Sequence, residues 1–132
     1  MSATSPTART LALLRAQGFT AQVVERWNPH SRTRQDLYGT GDVLAFDQNG
    51  TLLVQACAGA STAARCKKAA ANPNLAAWLS ERLARQFVVI AWRKIGPRGK
   101  RKTWQPRILT PVCYGDTWEW GENWCPVPKE NP

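Results

Sequence analysis

Apolar positions recur at two different spacings along this chain and divide it into helices and strands. Ala8, Leu11 and Leu14 share one face at helical spacing. Ser5 is a good N-cap, Pro6 suits the first helical position and Gly18 supplies the stop. From Phe19 to Trp27 the pattern alternates, with Phe19, Ala21, Val23 and Glu25 on one side, and predicts a strand ended by Asn28-Pro29. A polar loop, Arg32 to Arg34, follows. Two short apolar strands, Asp42–Phe46 and Leu52–Cys57, are joined by Asp47-Gln48-Asn49-Gly50, a strong hairpin signal. Ser61 or Thr62 caps a helix over Ala63–Ala71, and Asn72-Pro73 restarts one through Leu75, Trp78, Leu79 and Leu83. The unbroken run Phe87–Trp92 reads as a strand covered on both faces. Thr103–Leu109 returns as a strand whose Pro106 belongs at a sheet edge.

The predicted order is helix, three strands, helix, two strands. It implies an α/β (α+β) fold: a mixed sheet of four or five strands with helices on both faces. At 132 residues and 43% hydrophobic content the chain suits one domain with a single core. Its character changes at Thr110, so residues 1–110 are expected as the main domain and 111–132 as an acidic tail. That tail carries Tyr114, Trp118, Trp120 and Trp124 and is a candidate surface for a protein partner.

Charge sharpens the picture because it is uneven. Residues 1–110 hold 17 Lys and Arg against five acids, whereas residues 111–132 hold one Lys against four acids. Between Arg82 and Gly115 there are nine basic residues and no acid. Such a field concentrates polyanions, and nucleic acid is the expected partner. The segment Arg93 to Lys102 (RKIGPRGKRK), with Arg93, Lys94, Arg98, Lys100, Arg101 and Lys102, reads as a phosphate-gripping finger. Trp92 and Trp104 at its base suit core packing better than base stacking. Arg32, Arg34 and Arg65 add to the basic set. No apolar run is long enough to cross a membrane and no secretory leader is evident, so a cytoplasmic protein is expected. Cys57, Cys66, Cys113 and Cys125 fit no common zinc spacing and are expected as free thiols.

Candidate chemistry centres on Arg34 to Cys57. Asp42 opens one strand of the hairpin, while Gln55 and Cys57 share a face of the other, so a carboxylate and two polar groups can converge on one metal-sized point. A buried hairpin in which Asp42 merely holds the Gly39-Thr40-Gly41 loop is the competing reading. With His30 as the only histidine, a Cys57 nucleophile or a Ser/His/Asp hydrolase lacks its base. There is no P-loop and no dinucleotide fingerprint.

The element order, with Gly39-Thr40-Gly41-Asp42 opening the second strand and Gln55-Ala56-Cys57 on the third, resembles the αβββαβ core of the PD-(D/E)XK nuclease superfamily. That superfamily has the restriction-endonuclease-like fold and includes Holliday junction resolvases. The stretch WNPHSRTRQDLYGTGDVLAF and the segments LLVQAC and ARCKKA are also similar to small phage-encoded members. The resemblance spans roughly residues 5–109. It implies a nuclease that uses Mg²⁺ or Mn²⁺ on DNA, with Asp42 and Gln55 as metal ligands and Glu25 and Asp36 as further carboxylates. Cys57 stands where the superfamily has lysine, so the missing cation is expected from Lys67 or Lys68 on the next helix. Junction-cutting relatives are dimers, which makes a homodimer an expectation of the resemblance alone. Three readings follow: a metal-dependent endonuclease, a non-catalytic nucleic-acid binder on the same fold, and a factor that binds another protein.

Overall fold

A computed structural model of the chain describes residues 4–81, 84–122 and 124. Its three α-helices are α1 (Pro6–Ala16), α2 (Thr62–Ala71) and α3 (Pro73–Trp78). Its strands are β1 (Thr20–Val23), β2 (Arg26–Asn28), β3 (Thr33–Gln35), β4 (Val43–Asp47), β5 (Gly50–Ala58), β6 (Arg85–Ile95), β7 (Thr103–Tyr114) and β8 (Thr117–Gly121). Six of these form one mixed sheet in the order β1-β4-β5-β6-β7-β8, and β2 with β3 forms a separate ribbon. The fold is mixed α/β, as the pattern of apolar positions predicts, with six strands in the main sheet where four or five are expected and a separate two-stranded ribbon.

Local chemistry sets the helix boundaries. Ser5 Oγ accepts from the Ala8 N–H at 3.1 Å and starts α1. Asn72 ends α2 and caps α3, its Oδ1 accepting from the Asn74 N–H at 2.9 Å. Among the described residues only β5 and β6 pair in parallel, across the crossover through α2 and α3. Both are buried along most of their length because helices cover the two faces of the sheet. On one face Leu14 of α1 packs with Val43, Val54, Val88 and Ile90. On the other, Cys66 and Ala69 of α2 and Leu75 of α3 pack with Leu53, Phe87 and Val89. Trp92 donates its indole N–H to Thr10 Oγ1 at 2.9 Å, tying α1 to the sheet.

Three expectations need correction. The strand expected over Phe19–Trp27 is two strands, because the chain leaves the sheet after Val24, whose N–H still bonds the Asp42 carbonyl at 2.9 Å. Beyond that point Arg26–Asn28 pairs with Thr33–Gln35, so much of the expected polar loop is strand. Position 110 is no element boundary: β7 runs through it to Tyr114, and β8 pairs back on Thr110–Tyr114. Trp118 and Trp120 pack on the core face shared with Phe87, and Trp120 meets Phe87 edge-on at 6.3 Å between ring centroids. Pro106 does lie where β7 has no second neighbour, because β8 reaches only as far as Thr110. Leu83, expected in the second helix, and Cys125 lie outside the described residues. No helix among the described residues is long and apolar enough to cross a membrane.

Candidate metal centre

Asp42 occupies the step from the Gly39-Thr40-Gly41 turn into β4. Its N–H donates to the Val54 carbonyl at 2.9 Å, which fixes it against β5. The turn before it is tight: Leu37 and Gly41 form a bridge, and Tyr38 and Gly39 both have positive φ. A Cβ on Gly41 would lie 2.5 Å from the Leu53 side chain, so only glycine allows this approach. Asp42 Oδ1 accepts from the Ala56 N–H at 3.0 Å. The carboxylate is thereby held between strands, only 4% exposed.

Three carboxylates meet here. Oxygen atoms of Glu25, Asp36 and Asp42 all lie within 4.8 Å of one another. Glu25 arrives from the turn between β1 and β2, and Asp36 from the end of the ribbon, so the departure of the chain from the sheet at Val24 builds the site. Glu25 is oriented by Arg34, whose guanidinium approaches to 3.1 Å. Burial pushes the Asp42 carboxyl up to about 7, and the charges of Asp36 and Glu25 push it the same way against the Ala56 N–H.

Gln55 of β5 sits among these groups, 4% exposed. One end of its amide lies 3.5 Å from Asp42 Oδ2 and 3.4 Å from the Ala56 carbonyl oxygen. The other end lies 3.1 Å from the Thr40 carbonyl oxygen and 3.0 Å from Asp36 Oδ2. All four neighbours are acceptors when the carboxyls are ionised, and one NH₂ serves one end only. The shorter distances favour the NH₂ facing Thr40 and Asp36. The amide oxygen then faces oxygens of Asp42 and Ala56, which calls for a proton on Asp42 or a cation between them. The donors are carboxylate, amide and carbonyl oxygens, a hard set that fits Mg²⁺ or Mn²⁺.

One cation from α2 reaches the cluster. Lys68 Nζ lies 3.6 Å from Asp36 Oδ2, its side chain 54% exposed at the mouth of the cluster. Lys67, the other candidate, is exposed one residue earlier and so points about 100° away around the helix. Cys57 supplies neither charge nor nucleophile: it is buried, and desolvation pushes its thiol to about 11 despite the nearby Arg65.

The remaining basic candidates are spread over the surface. Arg98, Lys100, Arg101 and Lys102 are exposed on the β6–β7 loop, which projects from the same end of the sheet as Gln55 because β5 and β6 run parallel. Arg93 and Lys94, expected in that loop, are exposed positions at the end of β6. Arg32 lies in the ribbon turn with φ 56°. Trp92 is buried in the core, while Trp104 carries the Arg9 guanidinium 3.7 Å from its ring centroid and Lys94 at 5.3 Å.

Sequence reasoning missed the residues that brace the site. Asn72 Nδ2 donates to the Tyr38 and Gly39 carbonyls at 3.2 and 3.1 Å, and Asn74 Nδ2 donates to Tyr38 at 2.9 Å. The Asn-Pro-Asn run signals a helix start, but nothing local shows which loop its amides reach. No family model, curated protein or solved structure matches this chain.

Proposed function

We propose that the protein is a divalent-metal-dependent endodeoxyribonuclease of the PD-(D/E)XK type that hydrolyses phosphodiester bonds in DNA. One observation carries this reading. In a chain of net charge +9, three of the five acids among residues 1–110 converge on a single partly buried point, although Glu25 and Asp36 each also have a basic partner, Arg34 and Lys68. Gathering like charges there costs free energy that a bound cation offsets.

Asp42, Asp36, Glu25 and the Gln55 amide would hold the Mg²⁺ or Mn²⁺. Such an ion, when bound, polarises the scissile phosphate and makes water a better nucleophile. Lys68 presents its ammonium at the solvent-facing edge of the cluster, where charge grows on the phosphate during attack. Arg98, Lys100, Arg101 and Lys102 grip the phosphates on either side of the cut. The proposed compartment is the cytoplasm, where DNA is at hand and the thiols of Cys57 and Cys66 stay reduced.

Incubation with Mg²⁺ or Mn²⁺ on linear, flapped and four-way-junction DNA tests the reading, with Asp42→Ala as control. Cleavage that disappears in the variant is expected. Binding without cleavage on every substrate would leave a DNA-binding protein in place of a nuclease.

A further inference from the structure

Beside the acidic cluster lies an open cleft of about 350 Å³, whose walls include Arg26, Trp27, Asn28, Gln35, Asp36 and Tyr38. Two of these residues are aromatic and largely in water: Trp27 is 57% exposed and Tyr38 59%. Rings of this size normally lose most of their surface on folding.

Tyr38 is also held in a backbone conformation that side-chain-bearing residues seldom adopt, with φ 56°. Its carbonyl oxygen accepts three hydrogen bonds, from Thr40 Oγ1 at 3.1 Å, Asn72 Nδ2 at 3.2 Å and Asn74 Nδ2 at 2.9 Å. Elements far apart in sequence thus hold an unfavourable turn that presents an exposed ring. Strain of this kind is kept where a site requires it.

Charge completes the pattern. Arg26 lines the cleft, Arg32 and Arg34 stand on the same ribbon, and Asp36 belongs both to the cleft wall and to the acidic cluster. Rings and cations side by side suit a ligand made of flat bases and phosphates.

We propose that this cleft takes an unpaired nucleobase, stacked on Trp27 and Tyr38, beside the acidic cluster where the nuclease reading puts the scissile phosphate. The substrate class is then single-stranded or flap-bearing DNA rather than continuous duplex. A base inside a duplex has both faces covered and enters such a cleft only after unstacking, whereas a base in a flap is already free. Every base has a stacking face, so the cleft selects strand structure and not sequence. The position of the cut relative to the stacked base rests on the nuclease reading; the stacking itself does not.

The test is fluorescence anisotropy in EDTA, where no cleavage occurs. The probes are a labelled duplex and the same duplex bearing a single-stranded thymidine flap. The wild-type protein is expected to prefer the flapped DNA by about tenfold, the size of one base–aromatic stack. Trp27→Ala and Tyr38→Ala each lose most of that preference while duplex affinity stays unchanged, and Trp27→Phe retains it. Equal affinity of the wild-type protein for both probes, or a preference undiminished in both alanine variants, overturns the proposal. A preference lost in those variants without any cleavage in Mg²⁺ keeps the cleft and removes the nuclease. Cleavage that depends on Asp42 while both variants bind normally does the reverse.

Discussion

Lys68 sets its ammonium nitrogen 3.6 Å from Asp36 Oδ2, from a helix that begins only after the strand carrying Gln55 has ended. The pair is half in solvent, so it contributes at most about 1 kcal/mol to folding. Its value lies in placing a positive charge beside the three carboxylates at their open side. Lys68→Ala is therefore expected to lower the rate of metal-dependent DNA cleavage by about 10²–10³ with little change in thermal stability. Lys67→Ala, on the neighbouring helix position, should leave the rate nearly unchanged. Single-turnover rates on one DNA substrate compare the two; equal losses would sink the assignment.

Asp42 makes the folded state sensitive to pH. Burial, helped by Asp36 and Glu25, raises its carboxyl from 3.8 to about 7. Between these values the folded protein holds a proton that the unfolded chain has released. The contribution of this group to stability is thus fully present below pH 3.8 and is lost as pH rises towards 7. The loss is as much as about 1.4 kcal/mol per pH unit in that window. Thermal melting in EDTA should show this downward slope, and Asp42→Asn should flatten it. A divalent cation competes with the same proton, so stabilisation by added Mg²⁺ should grow with pH through the same window.

The parts of this site that were legible in the sequence are those fixed by local pattern. Asp42 and Gln55 are brought together by the β4–β5 hairpin, whose turn and alternation are readable, although Gly50 proves to pair with Asp47 as the first residue of β5. The choice between Lys67 and Lys68 depends on how α2 is rotated against the sheet. That rotation is set by Cys66 and Ala69 packing on Leu53 and Val89, which no helical repeat reveals. Glu25 was visible as an acid on an alternating stretch, but alternation carries no record of which strand it pairs with. The turn off the sheet at Val24 therefore leaves no trace in the pattern. The same holds for β8: Trp118 and Trp120 read as one face of something, while its partner, Thr110–Tyr114, continues a strand whose pattern ends at Leu109. Trp27 and Tyr38 gave no signal, because exposure is a tertiary property.

Gly41 tests how closely the acidic site depends on the packing beneath it. A Cβ there would fall 2.5 Å from Leu53 Cγ and 3.1 Å from the Val54 carbonyl oxygen. Leu53 is fully buried and cannot swing aside. Gly41→Ala is expected to cost about 1–3 kcal/mol, the range for overpacking a filled core, and to displace Asp42 from its bond with the Ala56 N–H. Urea denaturation measures the first effect. Loss of the Mg²⁺-induced rise in melting temperature reports the second.

The β6–β7 loop offers the most direct test of where DNA lies. Lys100, Arg101 and Lys102 are exposed at its tip, whereas Arg107 further along β7 is already paired with Glu122 at 3.0 Å. A cation held by a carboxylate releases fewer counterions from DNA than a free one, so the loop should account for more of the salt dependence than Arg107 does. Replacing the three loop residues by alanine is expected to reduce the slope of log K against log salt by roughly two to three. Asp42→Ala should leave that slope in place while abolishing cleavage, because removing a buried carboxylate removes no phosphate contact. Titrations at several salt concentrations separate the two variants. An unchanged slope in the triple variant would move the DNA away from this end of the sheet, and with it the link between the loop and the acidic cluster.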